Sequence, residues 1–230
     1  MKTRFSVVFL GSGVAAVLLA GALMALAQQP KRPSGAEAGY GKGAAAAGAA
    51  AAGGEIIRVR KMEGLGKRGY VKTPEFDART SLSKGAKPAQ DWVQILVEYD
   101  TEPKWIDELT FQFYALGETT EEGKKAYSFY QLTTRFSDIE RGRGHLASAY
   151  LRPQAVKRYG EIVALAVEIS HEGKVVAEQT ETSGVKMPPK WWKDQTIIGN
   201  KDVTARPGYL LDKNQSPFAL VNIDDFEVSK

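Results

Sequence analysis

DWVQILVEYDTEPKWIDELTFQFYAL, residues 91–116, alternates apolar and polar side chains on both sides of a short polar interruption. With a period of two, Val93, Ile95, Val97 and Tyr99 share one face of a first strand, and Leu109, Phe111, Phe113 and Ala115 share one face of a second. Pro103 lies in the interruption, Asp100 to Trp105, and cannot donate to a sheet ladder, so those residues read as a connection. Two antiparallel strands with matched apolar faces would then begin a β-sandwich core.

Downstream, GETTEEGKK is expected to close a hairpin into a strand from Ala126 to Phe136, whose aromatic residues suit cross-strand packing. Asp138 to Gly144 reads as a charged turn, and His145 to Leu151 as a short strand. Pro153 stands at a first helical position and Gly160 just past a last one, which predicts one helical turn. Glu161 to His171 and Lys174 to Glu181 form a strand pair around a tight Glu172-Gly173 turn.

Upstream, EIIRVRKME at 55–63 alternates as an edge strand guarded by basic residues. Tyr70 to Phe76 suggests a short strand, and Ser81 to Gln90 a turn-rich loop. After Ser183 the pattern weakens. That section is expected either to add a last strand at Phe218 to Val221, the favoured reading, or to wrap the outside as an extended arm. The whole predicts an all-β, antiparallel β-sandwich of about seven to nine strands with one short helical turn. Residues 55 to 230 would form that single domain.

The first 27 residues read as a signal peptide or anchor. Lys2 and Arg4 precede an apolar run from Phe5 to Leu26, and Ala25-Leu26-Ala27 is a small-x-small cleavage site. If uncleaved, the run is long enough to span a bilayer, which is the only membrane attachment expected. Residues 28 to 54, rich in Ala and Gly, read as a flexible tether. The expected location is therefore exported: periplasm, outer membrane surface or extracellular space.

The sequence has no cysteine, so neither a disulfide nor an acylated-cysteine anchor is available. Lys2 and Arg4 account for two of the four net positive charges, which leaves the mature chain near neutrality and gives nucleic-acid binding no support. Two histidines, His145 and His171, are too few for a zinc site without cysteine. The acidic pairs Asp107/Glu108, Glu121/Glu122, Asp138/Glu140 and Asp224/Asp225 lack the facing geometry of glycoside hydrolysis and any calcium-loop motif. No Gly-x-Ser-x-Gly elbow is present. The expectation is a non-enzyme without metal or cofactor.

Two stretches carry candidate binding residues. Arg141 and Arg143 sit in RGRGH, read as a compact basic loop that could take an anion, or whose arginines pair with neighbouring Asp138 and Glu140. Trp191 and Trp192 sit in PPKWWK, where adjacent indoles could stack on a sugar, touch a membrane interface or fill a partner's groove, or one could be buried under the sandwich.

The runs WVQILVEYDT, ELTFQFYAL and SDIERGRGHLASAYLRPQAVKRYG, behind an export leader and an Ala/Gly tether, resemble the immunoglobulin-like proteins associated with type IV pilus-like gene clusters of verrucomicrobial gut bacteria. The resemblance covers most of residues 55 to 230 and implies an immunoglobulin-like sandwich serving pilus assembly or a cell-surface role. The leader departs from the Gly-Phe-Thr-Leu-x-Glu start of a bacterial type IV pilin, having Phe5-Ser6-Val7-Val8-Phe9, which argues against a major pilin subunit. The expected function is an envelope component acting through protein contacts in a pilus-like assembly. The alternative is a carbohydrate-binding module or adhesin that uses Trp191, Trp192, Arg141 and Arg143 on glycans.

Overall fold

The computed structural model describes residues 56–74 and 88–223; the expected leader, the tether and the Asp224/Asp225 pair lie outside them. Eight strands join in one sheet, antiparallel except for one short pairing. Two of them dominate: β3, Asp91–Glu121, and β4, Lys124–Leu151. They are the arms of one long hairpin closed by Glu122 and Gly123, whose φ values of 49° and 78° suit a tight two-residue turn.

This corrects the expected pairing of residues 91–99 with 109–115. Both segments belong to the single strand β3 and pair with opposite ends of β4: Val93 faces Leu151, and Phe113 faces Leu132. The apolar faces themselves were legible, since Val93, Ile95, Val97, Tyr99, Leu109, Phe111, Phe113 and Ala115 are all buried. The register slips between Tyr99 and Thr101 and again between Thr101 and Trp105. There the hairpin folds over. Tyr99 and Phe111 make ring contact at 5.2 Å between centroids, whereas the same spacing along a straight strand would be about 40 Å. Both layers of the sandwich thus share β3 and β4, which pass from one layer to the other through bulges.

The first layer adds β1, Ile57–Glu63, and β2, Tyr70–Lys72, on the free side of β3, and β8, Leu210–Asp212, on β4. In β1 a bulge between Val59 and Lys61 shifts the alternation, so Ile57 and then Met62 are buried. The second layer adds β5, Glu161–His171, beside β3, and β6, Lys174–Thr182, beside β5; β7, Val203–Ala205, pairs parallel with β4. The Glu172-Gly173 turn is formed as expected, with φ values of 49° and 74°. One core lies between the layers, and the α1 helix, Pro153–Tyr159, contributes Ala155 and Tyr159 to it.

Gly160 ends α1 at φ 88°. A Cβ there would stand 1.8 Å from the Glu118 carbonyl oxygen, so both conformation and space demand glycine.

The C-terminal section takes the arm reading. It contains a short helical turn at Trp191–Lys193 and the α2 turn Gln195–Ile198, then β7 and β8 on the flanks of β4. The strand favoured for Phe218 to Val221 is absent, and Phe218 to Leu220 lie in turns. Phe218 acts as a cover: its ring stacks on Tyr150 at 4.6 Å and meets the edge of Trp92 at 5.9 Å. The outer sheet face already carries aromatic surface, and a local wrap buries it without another strand.

Candidate interaction corner

The fold-over corner is the place where charged and aromatic side chains gather on the surface. Its base is Thr101, only 3% exposed. The Thr101 hydroxyl donates to the Glu140 carbonyl at 2.8 Å and accepts from the Gly142 N–H at 3.0 Å. His145 Nε2 lies 3.1 Å from the same oxygen. Its ring also stacks on Tyr99 at 5.3 Å. A Cβ at Gly142 would come 2.7 Å from His145 Nε2, so glycine leaves room for the ring.

RGRGH is therefore no free loop. It is a bulged part of β4, with Asp138 at φ 57° and Gly144 at φ 74° absorbing the irregularity, and the expected charged turn from Asp138 to Gly144 is likewise strand. Arg141 uses its Nε–H on the Glu102 carbonyl across the bulge. Its ion pairing with Asp138 or Glu140 does not occur; the chain directs the side chain across to β3 instead.

Beside this base is an open, charged cleft of about 290 Å³ lined by Arg58, Arg60, Asp100, Glu102 and Arg143. Both oxygens of Asp100 have partners. One carboxylate oxygen accepts from the Gly144 N–H at 2.9 Å, and the other meets Arg60 Nε at 2.9 Å. Arg60 also approaches Glu98 at 3.9 Å. Arg58 and Arg143 form no ion pair among the described residues. Where β3 resumes its register after the bulge, Trp105 pairs with Glu140 and leaves 54% of its surface exposed. The fold-over thus carries an exposed indole as well as guanidinium groups, residue types enriched at protein-contact hot spots. Trp105 went unremarked in the sequence because Pro103 made its surroundings look like a plain connection.

The other tryptophan pair is not on the surface. Trp191 is 0% and Trp192 3% exposed, a correction to their reading as a binding platform. Both enter a second apolar cluster with Tyr114, Leu116, Phe129, Ala164 and Ala166 on the outer face of the second layer. Trp192 lies parallel to Tyr114, and Trp191 meets Phe129 edge-on. Trp191 Nε1 donates to Thr180 Oγ1 at 3.1 Å. Two neighbouring indoles can both be buried here because the arm crosses a sheet whose outer face is itself apolar. Neither offers a ring face to a sugar.

Among the described residues no helix is long and apolar enough to cross a membrane, and no group of three or more metal-ligating side chains converges. His171 is turned to the Glu108 carbonyl at 3.1 Å.

Comparison with known proteins agrees with the fold. No curated protein matches the chain. A crystal structure of a protein from Akkermansia muciniphila, a verrucomicrobial gut bacterium, superposes with a TM-score of 0.61 at 24% sequence identity, covering 76% of this chain and 94% of the other. At that identity the likeness speaks for the architecture. A protein-family model matches residues 61–230, nearly the whole of the described sandwich, and the chain belongs to the family that this model defines.

Proposed function

We propose that this chain is a non-catalytic, exported envelope protein that works by protein contacts within a pilus-like surface assembly. The observation that most supports the reading is the corner: Trp105 is exposed where β3 resumes its register after the irregularity held by Thr101, on the same fold-over as a charged cleft whose Arg58 and Arg143 form no ion pair among the described residues. An exposed indole and guanidinium groups on one surface suit recognition of another protein. The apolar leader and the Ala/Gly tether support export and reach beyond a membrane. The resemblance to proteins of pilus-like gene clusters supports the kind of assembly.

Crosslinking in intact cells followed by affinity capture tests the reading. The expected result is a reproducible set of envelope proteins joined to this chain, with the chain itself open to protease added outside the inner membrane. Recovery in the cytosol with no envelope partner would overturn it.

A further inference from the structure

We propose that the corner cleft receives an acidic segment of another protein, whose carboxylates pair with Arg58 and Arg143 while an apolar neighbour packs on Trp105. This rests on the protein-contact reading above and gives the partner its chemistry. Four guanidinium groups cluster at the corner, and two are already committed: Arg60 to Asp100, and Arg141 to the Glu102 carbonyl. Arg58 and Arg143 form no ion pair among the described residues and border the same cleft. Asp100 is bonded to the Gly144 N–H and to Arg60, and among the described residues it forms no ion pair with Arg58 or Arg143.

A guanidinium presents a planar fork that suits a carboxylate, and two such forks on either side of a cleft suit a segment with more than one acidic side chain. The cleft is open, so an isolated ion would gain only exposed, screened contacts. A chain segment adds apolar burial on the indole.

The test uses the full chain and a dye-labelled, blocked peptide of glutamates flanking a single leucine, followed by fluorescence anisotropy at low and high salt. Saturable binding that weakens with salt is expected, with a loss of about tenfold or more in Arg58→Gln/Arg143→Gln. A smaller loss is expected in Trp105→Ala, and both variants should keep the wild-type near-ultraviolet circular dichroism. Two results would overturn the proposal: unchanged binding in the double arginine variant, or displacement of the peptide by inorganic phosphate or sulfate at equal charge concentration, which marks a simple oxyanion site. Crosslinking in cells separates the two levels. If the double variant keeps the wild-type partners, the cleft assignment fails while the protein-contact reading stands; if wild type itself captures none, the underlying reading fails.

Discussion

Lys193 Nζ lies 2.6 Å from Glu168 Oε1, and Glu168 is a carboxylate only 1% exposed on the outer face of β5. Tyr114 offers its hydroxyl to the other oxygen at 3.5 Å. Lys190 similarly meets Glu178 at 3.0 Å, and Glu178 faces Glu168 across the β5/β6 ladder. The two lysines that bracket Trp191-Trp192 thus fasten the arm to adjacent carboxylates and hold the indoles over the sheet. Removing Lys193 as Lys193→Met leaves a buried charge without its cation, for an expected loss of roughly 1–3 kcal/mol. Adding Glu168→Gln should recover part of that loss. Urea denaturation of the two single variants and the double variant reads the coupling; strictly additive effects would show that the pair does not hold the arm.

Alkaline pH should loosen the packing around Tyr114, under the arm, and Tyr130, in the core between the layers. Burial, reinforced by the charge and hydrogen bond of Glu168, pushes the Tyr114 phenol up to about 12. Burial alone is the leading cause that takes Tyr130 to about 12. In the unfolded chain both would ionise near the ordinary value of 10.0. The folded state therefore binds these protons more tightly, and the stability this contributes is complete below pH 10 and is lost as the pH rises toward 12. Tyrosinate absorbance and circular dichroism should change together over that window. Full ionisation of every tyrosine at ordinary pH with the fold intact would contradict it.

Gly160 and Gly173 separate conformation from space. Both have positive φ, 88° and 74°, but a Cβ at Gly173 meets nothing within 4 Å whereas one at Gly160 collides with the Glu118 backbone. Gly173→Ala should cost roughly 1–2 kcal/mol, the usual strain of a left-handed alanine. Gly160→Ala must also displace β3 from the end of α1, and soluble folded protein is expected to be lost or strongly destabilised. Equal thermal shifts for the two variants would be inconsistent with the collision.

What the sequence made legible was local. Period-two alternation marked the buried faces of β3 and the whole of β5, and Pro153 with Gly160 bounded α1, because each depends on neighbours within one element. The fold-over at Thr101 was not legible. Its charged residues and Pro103 resemble an ordinary loop, yet cross-strand bonds from Thr101 to Glu140 and Gly142 keep the two long strands together through it. The burial of Trp191 and Trp192 was hidden for a related reason. It depends on Tyr114, Leu116 and Phe129 making the outer face apolar, a fact distributed over β3 and β4 and expressed only once they pair.

The fold-over brings Tyr99 of the same strand to Phe111 at 5.2 Å, beside Phe113 at 6.0 Å and Phe136 of β4, edge-on at 5.1 Å. Phe111→Ala should leave a cavity between the layers and cost roughly 3–5 kcal/mol. Phe111→Leu should cost less because much of the volume remains. Chemical denaturation at an unchanged m-value is the measure; a loss below about 1 kcal/mol for alanine would mean that the layers collapse onto the vacancy.

The four tryptophans differ enough in surroundings to report on the corner separately. Trp191 and Trp192 are sealed under the arm, and Trp92 is partly covered, with its Nε1 donating to Thr73 Oγ1 at 3.1 Å and Phe218 against its ring. Trp105 is more than half exposed. Collisional quenching by acrylamide should therefore act mainly on Trp105, and Trp105→Phe should remove most of the quenchable emission and shift the remainder to the blue. Occupancy of the corner by an acidic partner should protect the same fraction in wild type. If Trp105→Phe leaves the quenching curve unchanged, the indole is covered in solution, and a contact surface at the corner loses its aromatic anchor.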